Sequence, residues 1–259
     1  MYALVTGASS GIGKELARCL LSRYNLILVA RNEDKLKEVL REFEMIVKRY
    51  KYYNRVEYCV CDVSDSDECI KLYEKYKDYD IEVLVNDAGS GVFGEFTTND
   101  FNKELNSIKT NVIGPFALTK LFLDDMLKNN RGYIMNVASS AGYMPGSPYM
   151  ADYYASKSYV LNMTRAIARE KKVLKSQVKV CALCPGPVDT GFNKAAGIKT
   201  QAKGMKARTL AKYAIHKMYE GSDIILPGIV VKATYALRKV IPDVVLLEIA
   251  GKWQEKKMK

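Results

Sequence analysis

The stretch Met1-Tyr-Ala-Leu-Val-Thr-Gly-Ala-Ser-Ser-Gly-Ile-Gly13 decides how the rest of the chain is read. A short apolar run enters a turn with glycine at 7, 11 and 13, and Lys14 to Leu21 follows with helical spacing. Strand, glycine turn and helix start in that order suit a pyrophosphate. Glycine allows backbone angles and a close approach denied to other residues, and the free N–H groups of a helix N-terminus favour anionic oxygens. The spacing, Thr6-Gly7, three residues, then Gly11-Ile12-Gly13, differs from the Gly-x-Gly-x-x-Gly of the usual dinucleotide turn. Three glycines alone would also make a tight turn with no ligand, so the remaining segments have to decide.

Outward from that turn, apolar and β-branched runs alternate with amphipathic ones. Strands are predicted at Tyr2 to Val5, Leu26 to Ala30, Val56 to Cys61, Val83 to Val85, Tyr133 to Val137 and Val178 to Leu183. The clearest helix runs from Asp34 to Tyr50, where Leu36, Val39, Leu40, Phe43, Val47 and Tyr50 recur at three- and four-residue steps. Another helical pattern spans Asn99 to Lys128. This alternation predicts an α/β fold: a parallel sheet with right-handed crossovers and helices on both faces. At 259 residues one domain is expected, with residues 1–193 as its core and 194–259 as a substrate loop and C-terminal region.

The net charge of +11 is unevenly spread: residues 194–259 hold 14 Lys+Arg against 5 Asp+Glu. That placement argues against a nucleic-acid surface on the body and leaves a basic tail that could meet anionic lipid. No apolar run reaches the roughly 18 residues of a membrane span. Six cysteines sit at core-like positions and no signal peptide precedes the first strand, so a reducing, cytoplasmic setting is expected. Cys181 and Cys184 form a Cys-x-x-Cys inside an apolar run with no second pair or nearby histidine, which reads as strand thiols and no metal site.

Candidate chemistry gathers at the strand ends. Arg31, after the second strand, stands where a dinucleotide fold reads the adenosine ribose; a guanidinium there matches a 2′-phosphate, so NADP(H) is favoured over NAD(H). Asp62, after the third strand, could accept a hydrogen bond from adenine or cap the next helix. Asn86-Asp87-Ala88-Gly89 ends the fourth strand with small residues that let a ligand approach. Asn111, inside the helical pattern, is a poor helix former; a local kink, a held water or a satisfied core amide would each explain it. Tyr153 and Lys157 stand four apart at a helix start, on one face, and a nearby ammonium lowers a phenol pKa towards a working range. Ser140, thirteen residues before Tyr153, could set a hydroxyl against the same substrate oxygen.

In their order and over about residues 1 to 193, these motifs resemble those of the short-chain dehydrogenase/reductase family, in its shorter branch. The resemblance implies a Rossmann-like, doubly wound sheet with a helical C-terminal extension, and reversible hydride transfer between a nicotinamide and a carbonyl or alcohol carbon. It places the catalytic roles on Asn111, Ser140, Tyr153 and Lys157. Tyr153 would donate the proton and Ser140 would hydrogen-bond the oxygen. Lys157 would bind the nicotinamide ribose and lower the phenol pKa, and Asn111 would hold a relay water. Cofactor contacts are expected from Gly7, Ser9, Ser10, Gly11, Ile12, Gly13, Arg31, Asp62, Val63, Asn86, Ala88, Gly89, Tyr153, Lys157, Pro185, Gly186, Val188 and Thr190. Two positions depart from the family pattern. Asp87 replaces the second asparagine of Asn-Asn-Ala-Gly, and Ser10 stands where NADP-using relatives often carry Lys or Arg, which leaves the NADP preference on Arg31.

Val92, Phe93, Tyr143, Met144, Pro187, Val188 and Phe192 would suit an apolar ketone pocket or serve as ordinary packing. From Ile224 to Ala250 the chain is apolar, interspersed with Lys232, Arg238 and Lys239, and ends in Lys256-Lys257-Met258-Lys259. It reads as an amphipathic lid, a weak peripheral membrane contact, or packing against the core or a second subunit. Relatives imply a homodimer or homotetramer. Two other classes are weaker: a catalytically silent NADP-binding regulator would usually lack the tyrosine or lysine, and a serine hydrolase would need more than His216 and a Gly-x-Ser-x-Gly elbow.

Overall fold

The computed structural model describes residues 1–198 and 204–258, the side chains of residues 256–258 excepted. The chain runs β1 (Tyr2–Thr6), α1 (Gly11–Leu20), β2 (Asn25–Ala30), α2 (Glu33–Tyr50), β3 (Val56–Val60), α3 (Ser66–Tyr76), β4 (Ile81–Asn86), α4 (Phe101–Ile108) and α5 (Gly114–Lys128). It continues β5 (Tyr133–Val137), α6 (Ala151–Val173), β6 (Lys179–Leu183), β7 (Val188–Asp189), α7 (Phe192–Ala195), β8 (Met205–Lys206), α8 (Ala207–Tyr219), β9 (Ile224–Ile225), α9 (Ile229–Leu237) and α10 (Asp243–Met258).

Seven strands form one parallel sheet in the order β3-β2-β1-β4-β5-β6-β9, and β7 pairs with β8 apart from it. Successive strand side chains point to opposite faces, so each strand feeds two cores. Val5, Leu28, Val85 and Met135 meet Leu16 of α1, Phe43 of α2 and Leu210 of α8 on one face. Leu4, Ile27, Leu84 and Ile134 meet Tyr76 of α3, Phe122 of α5 and Ala168 of α6 on the other. Burial on both faces explains why β1, β2, β4, β5 and β6 read as continuous apolar runs, while β3 lies at the sheet edge with no fully buried residue. The order reverses between β1 and β4, where doubly wound sheets open a crevice at the strands' carboxyl ends.

Local chemistry fixes the helix starts. Asn32 caps α2 by accepting from the Lys35 N–H at 2.9 Å, with Glu33 and Asp34 at the helix's positive end. Asp65 caps α3 in the same way. Two segments differ from the sequence reading. The pattern from Asn99 to Lys128 is two helices joined by a π-helical turn at Lys109–Ile113, which contains Asn111. A wide turn of this kind is a frequent local device at functional sites. The Ile224-Ile225 pair, read only as apolar tail, adds the edge strand β9 beside Ala182 and Leu183 of β6.

A polar chain lies inside the second core. The Asn86 amide donates to Asn136 Oδ1 at 2.8 Å and Thr119 Oγ1 at 3.1 Å, and the Asn136 amide donates to Thr164 Oγ1 at 3.0 Å. Thr164 in turn donates to the Val160 carbonyl at 2.6 Å. These bonds tie β4 and β5 to α5 and α6 where apolar packing alone would be non-directional.

Candidate active site

One cleft of about 660 Å³ opens along the carboxyl ends of the central strands. At one end lie Gly7, Ser9, Ser10, Gly11 and Ile12 of the first turn. Gly7 and Gly11 adopt φ of 68° and 57°, the left-handed region that suits glycine. A Cβ on Gly7 would come within 2.8 Å of the Ala88 nitrogen, so no side chain can replace it without moving β4's end. Ser10 sits at the N-cap of α1 without a side-chain cap bond, which leaves the N–H groups of Gly11 and Ile12 to a ligand, while that of Gly13 donates to Asp87. Gly13 does not line the cleft. It lies beneath the turn, where a Cβ would be 2.6 Å from the Gly7 carbonyl oxygen.

Arg31, Asn32, Lys35, Asp62 and Val63 form the next part of the wall. Arg31 is 54% exposed and touches Asp62 at 3.5 Å, a loose contact that leaves the guanidinium free to turn. Burial works against the Asp62 charge, but the Ser64 hydrogen bonds and Arg31 outweigh it and hold the carboxyl below its usual range. Asp62 Oδ1 accepts from the Ser64 N–H at 3.0 Å. Lys35 escaped the sequence reading; it sits in the first turn of α2 and brings a second cation to the Arg31 end.

Ala88, Gly89, Pro185, Gly186, Val188 and Thr190 also line the cleft. Asn86 does not. It is 2% exposed and committed to the polar chain between β4, β5 and α5, one residue too early on the strand to reach the crevice.

At the far end Tyr153 and Lys157 project from the first turns of α6. Lys157 Nζ donates to the Val137 carbonyl at 2.9 Å and lies 5.9 Å from the centre of the Tyr153 ring. Asn111 is fully buried: its amide nitrogen donates to the Ser90 carbonyl at 2.8 Å and to Ser156 Oγ at 3.0 Å, and its oxygen accepts from the Ser90 N–H at 2.9 Å. It holds the loop after β4 and does not line the cleft. Asn111 and Lys157 nonetheless converge, since a Cβ on Gly89 would lie 3.0 Å from Asn111 Oδ1 and 3.3 Å from Lys157 Nζ.

The serine facing the phenol is Ser139, not Ser140. Burial pushes the Tyr153 phenol up to about 12, and a hydrogen bond with the Ser139 side chain works against that rise. The Ser139 hydroxyl also accepts from the Ala141 N–H at 3.1 Å, which starts the 3₁₀ turn Ser140–Tyr143. Ser140 is the first residue inside that turn. Its N–H donates to the Pro185 carbonyl at 2.8 Å, so its backbone stitches β5's end to the Pro185-Gly186 segment. Counting back thirteen residues from Tyr153 reaches Ser140, which also lines the cleft, while the hydrogen bond to the phenol comes from its neighbour Ser139. The phenol's rise also differs from the expected lowering, because burial is the largest influence on it.

Of the seven apolar pocket candidates, Pro187, Val188 and Phe192 line the cleft. Phe93 packs behind it with Met150 and Ile198, and Tyr143 and Met144 belong to a separate core with Val231. Met150, Tyr154, Ile198, Trp253 and Gln254 complete the wall near Tyr153. Nothing in the sequence places Trp253 there, because α10 reaches the cleft through a tertiary turn.

The residues present fit a dinucleotide with a nicotinamide end: a glycine cradle at a helix start, cations at the β2 end, and a phenol beside an amine where the reacting ring would lie. Comparison with known proteins agrees. A 34% identical relative, the NADP-dependent 3-hydroxy acid dehydrogenase of Schizosaccharomyces pombe, matches 73% of this chain and 72% of its own. An uncharacterized oxidoreductase of Staphylococcus saprophyticus is 30% identical over 86% of this chain and 92% of its own length. The solved short-chain dehydrogenase of Sphingobium yanoikuyae in complex with NADPH shares the fold at a TM-score of 0.79, with 24% identity over 93% of this chain and 96% of that one. The family profile of the short chain dehydrogenases matches residues 1–201. With three quarters of its length matched by that profile and its motifs assembled along one cleft, the chain belongs to the short-chain dehydrogenase family, NAD(P)-dependent oxidoreductases acting on CH–OH and C=O groups.

Proposed function

We propose that this chain is an NADP(H)-preferring oxidoreductase of apolar ketones and secondary alcohols, with Tyr153 as proton donor in the reductive direction. The observation that carries the reading is the cleft's polarity: Arg31 and Lys35 at one end, and at the other a phenol, a serine hydroxyl and an amine among Met150, Phe192, Ile198 and Trp253. The bound nicotinamide supplies or accepts the hydride. Tyr153 passes its hydroxyl proton to the substrate oxygen, and Ser139 donates a hydrogen bond that steadies the charge developing there. Lys157 offers its ammonium donors to the cofactor ribose and to the phenolate left behind. Asn111 fixes the Ser90 loop against α6. Two cations suit a 2′-phosphate better than a ribose hydroxyl, which supports NADP(H), with NAD(H) as the weaker alternative.

Residues 1–193 act as the catalytic core, and the segment from 194 onward supplies the substrate wall. Six free cysteines support a reducing, cytoplasmic setting. Exposed Phe101, Ile108, Phe116 and Tyr159 on α4 to α6 support a homodimer or homotetramer. No helix among the described residues is long and apolar enough to cross a membrane. Ile229, Val230, Val240 and Val244 of the α9–α10 region are nonetheless each at least three-quarters exposed. Beside them a cavity of about 240 Å³ is lined by Arg165, Arg238 and Lys239 and by no acid. Together they support a weak peripheral contact with an anionic membrane surface. The side chains of Lys256 and Lys257, and all of Lys259, lie outside the described residues.

The test is oxidation of NADPH, followed at about 340 nm, across a panel of ketones of increasing chain length, with NADH in parallel. Turnover that rises with apolar length and is faster with NADPH is expected. NADH used as well as NADPH would remove the cofactor preference. Flotation with anionic liposomes, full-length protein against a form ending near Gly221, tests the membrane contact; equal behaviour would remove it.

A further inference from the structure

Gln254 is a polar side chain in an apolar stretch of wall. It comes from α10, is 1% exposed, and lines the cleft beside Met150 and Ile198 near Tyr153. Glutamine is ordinarily a surface residue, and a buried amide ordinarily has its hydrogen bonds made. Here the amide nitrogen donates to Met150 Sδ at 3.7 Å, a weak acceptor, while Oε1 is buried and has no hydrogen-bond partner among the described residues. An acceptor left in that state costs stability in every folded molecule. Methionine is similar in length and flexibility and would fill the position without that cost, so packing does not explain the amide.

The helix is held so that this residue faces the cleft. Leu247, Gly251 and Gln254 follow at four- and three-residue steps on one face of α10. The first two meet the loop between β5 and α6: a Cβ on Gly146 would lie 3.4 Å from Leu247 Cδ2, and one on Gly251 would lie 3.4 Å from Pro148 Cγ. Gln254, the next residue on that face, then comes against Met150. Met150 in turn reaches the phenol's ring. A Cβ on Gly91 would lie 3.5 Å from the Met150 methyl and 3.2 Å from Tyr153 Cδ2, so the thioether spans the gap between the Gln254 amide and the Tyr153 ring. The orphan oxygen therefore stands one side chain away from Tyr153.

We propose that Gln254 is a specificity-determining residue: its Oε1 accepts a hydrogen bond from a second hydroxyl of the substrate, which is an apolar ketone that also carries an alcohol. This rests on the reading of Tyr153 as the group that meets the reacting oxygen. In the reductive direction the keto carbon takes the hydride and its oxygen takes the Tyr153 proton. The second hydroxyl keeps its own proton, shares it with Gln254 and leaves unchanged. A plain ketone of the same length leaves the amide oxygen unpaired, and a methyl ether in place of the hydroxyl sets one acceptor against another.

The probes are methyl ketones of one chain length, each with a hydroxyl at a different carbon, together with their methyl ethers and the unsubstituted parent. kcat/KM with NADPH is measured for the wild type and Gln254→Met, and binding of the same compounds to the NADP+-loaded proteins is followed by calorimetry. In the wild type a hydroxyl at one position should exceed both its ether and the parent by roughly tenfold to a hundredfold in both measurements. In Gln254→Met that ratio should shrink to within about threefold, with the thermal midpoint kept or raised because an unpaired acceptor is gone. Each ratio is read within one protein, so a general loss of activity does not enter it. Equal handling of hydroxyketone, ether and parent by the wild type at every position overturns the proposal. So does a hydroxyl preference that survives in folded Gln254→Met protein, or a lowered thermal midpoint, which would make the amide a group that holds the fold. Hydroxyl-selective binding, lost in Gln254→Met but without NADPH oxidation in the wild type, would support the role of Gln254 and defeat the active-site reading of Tyr153.

Discussion

Ser139 presents its hydroxyl to the Tyr153 phenol, while its neighbour Ser140 spends its N–H on the Pro185 carbonyl. The two serines are adjacent in sequence and unequal in what they can do. One meets the phenol and the other braces the loop that carries the proline.

That division can be measured. Ser139→Ala should lower kcat by roughly 10²-fold, the scale of losing one preorganised hydrogen-bond donor. Ser140→Ala should stay within about threefold of wild type, because its backbone bond survives the change. Equal losses from the two alanine variants would mean that the site is built differently.

Tyr153→Phe should bind NADPH with near-normal affinity, measured by fluorescence titration, and lose about 10³-fold or more in turnover. The phenyl ring keeps the packing against Phe192, whose ring centre lies 5.3 Å away, so only the proton is lost.

A pH dependence follows from the phenol's rise to about 12. Alcohol oxidation needs the phenolate, whose fraction grows tenfold per unit of pH below that value, whereas ketone reduction needs the protonated phenol and is already saturated in it. In the oxidative direction kcat/KM should therefore climb with a slope near one through the neutral range and beyond. A flat oxidative profile would show that Tyr153 does not take the proton.

Cofactor choice should yield to the β2 end. Removing both cations, Arg31→Ala with Lys35→Ala, should weaken NADP+ by tenfold or more, about 1.4 kcal/mol or more, and leave NAD+ nearly unchanged. Calorimetric titration with the two cofactors gives the ratio directly.

Gly13→Ala places a methyl 2.6 Å from the Gly7 oxygen and 2.7 Å from Asp87 Oδ2. One of these is backbone and the other is held by a hydrogen bond, so the turn must shift. A stability loss of about 1–3 kcal/mol is expected for such overpacking, read from the urea midpoint, together with weakened binding of NADP+ and NAD+ alike.

The sheet was legible because its strands are buried on both faces, and β1 to β6 follow the apolar runs to within a residue or two. The glycine turn and the Tyr153–Lys157 pair were legible for a different reason: their spacing is local, so sequence distance fixes geometry. Reading failed where position depends on the fold's long-range closure. Asn86 is the last residue of β4 and is spent on the polar chain, whereas Ala88, two residues on and past the strand's end, lines the cleft, and the point at which the strand stops is set by pairing with its neighbours. The uniform pattern through Asn111 concealed a π-helical turn, whose extra residue leaves no mark on hydrophobic periodicity. Trp253 joins the cleft from more than ninety residues beyond Tyr153, a contact that no periodicity encodes.

The amide-and-hydroxyl chain from Asn86 through Asn136 to Thr164 acts as an alignment key for α6. If that helix slipped by a single residue it would rise about 1.5 Å and swing by roughly 100°, the Asn136 amide would lose its acceptor in Thr164, and the phenol three turns away would leave its post. Oily contacts would tolerate such a slide, since Leu and Val grip without regard to direction. The height of the Tyr153 oxygen is thus dictated from the dry interior, by groups that line no part of the cleft.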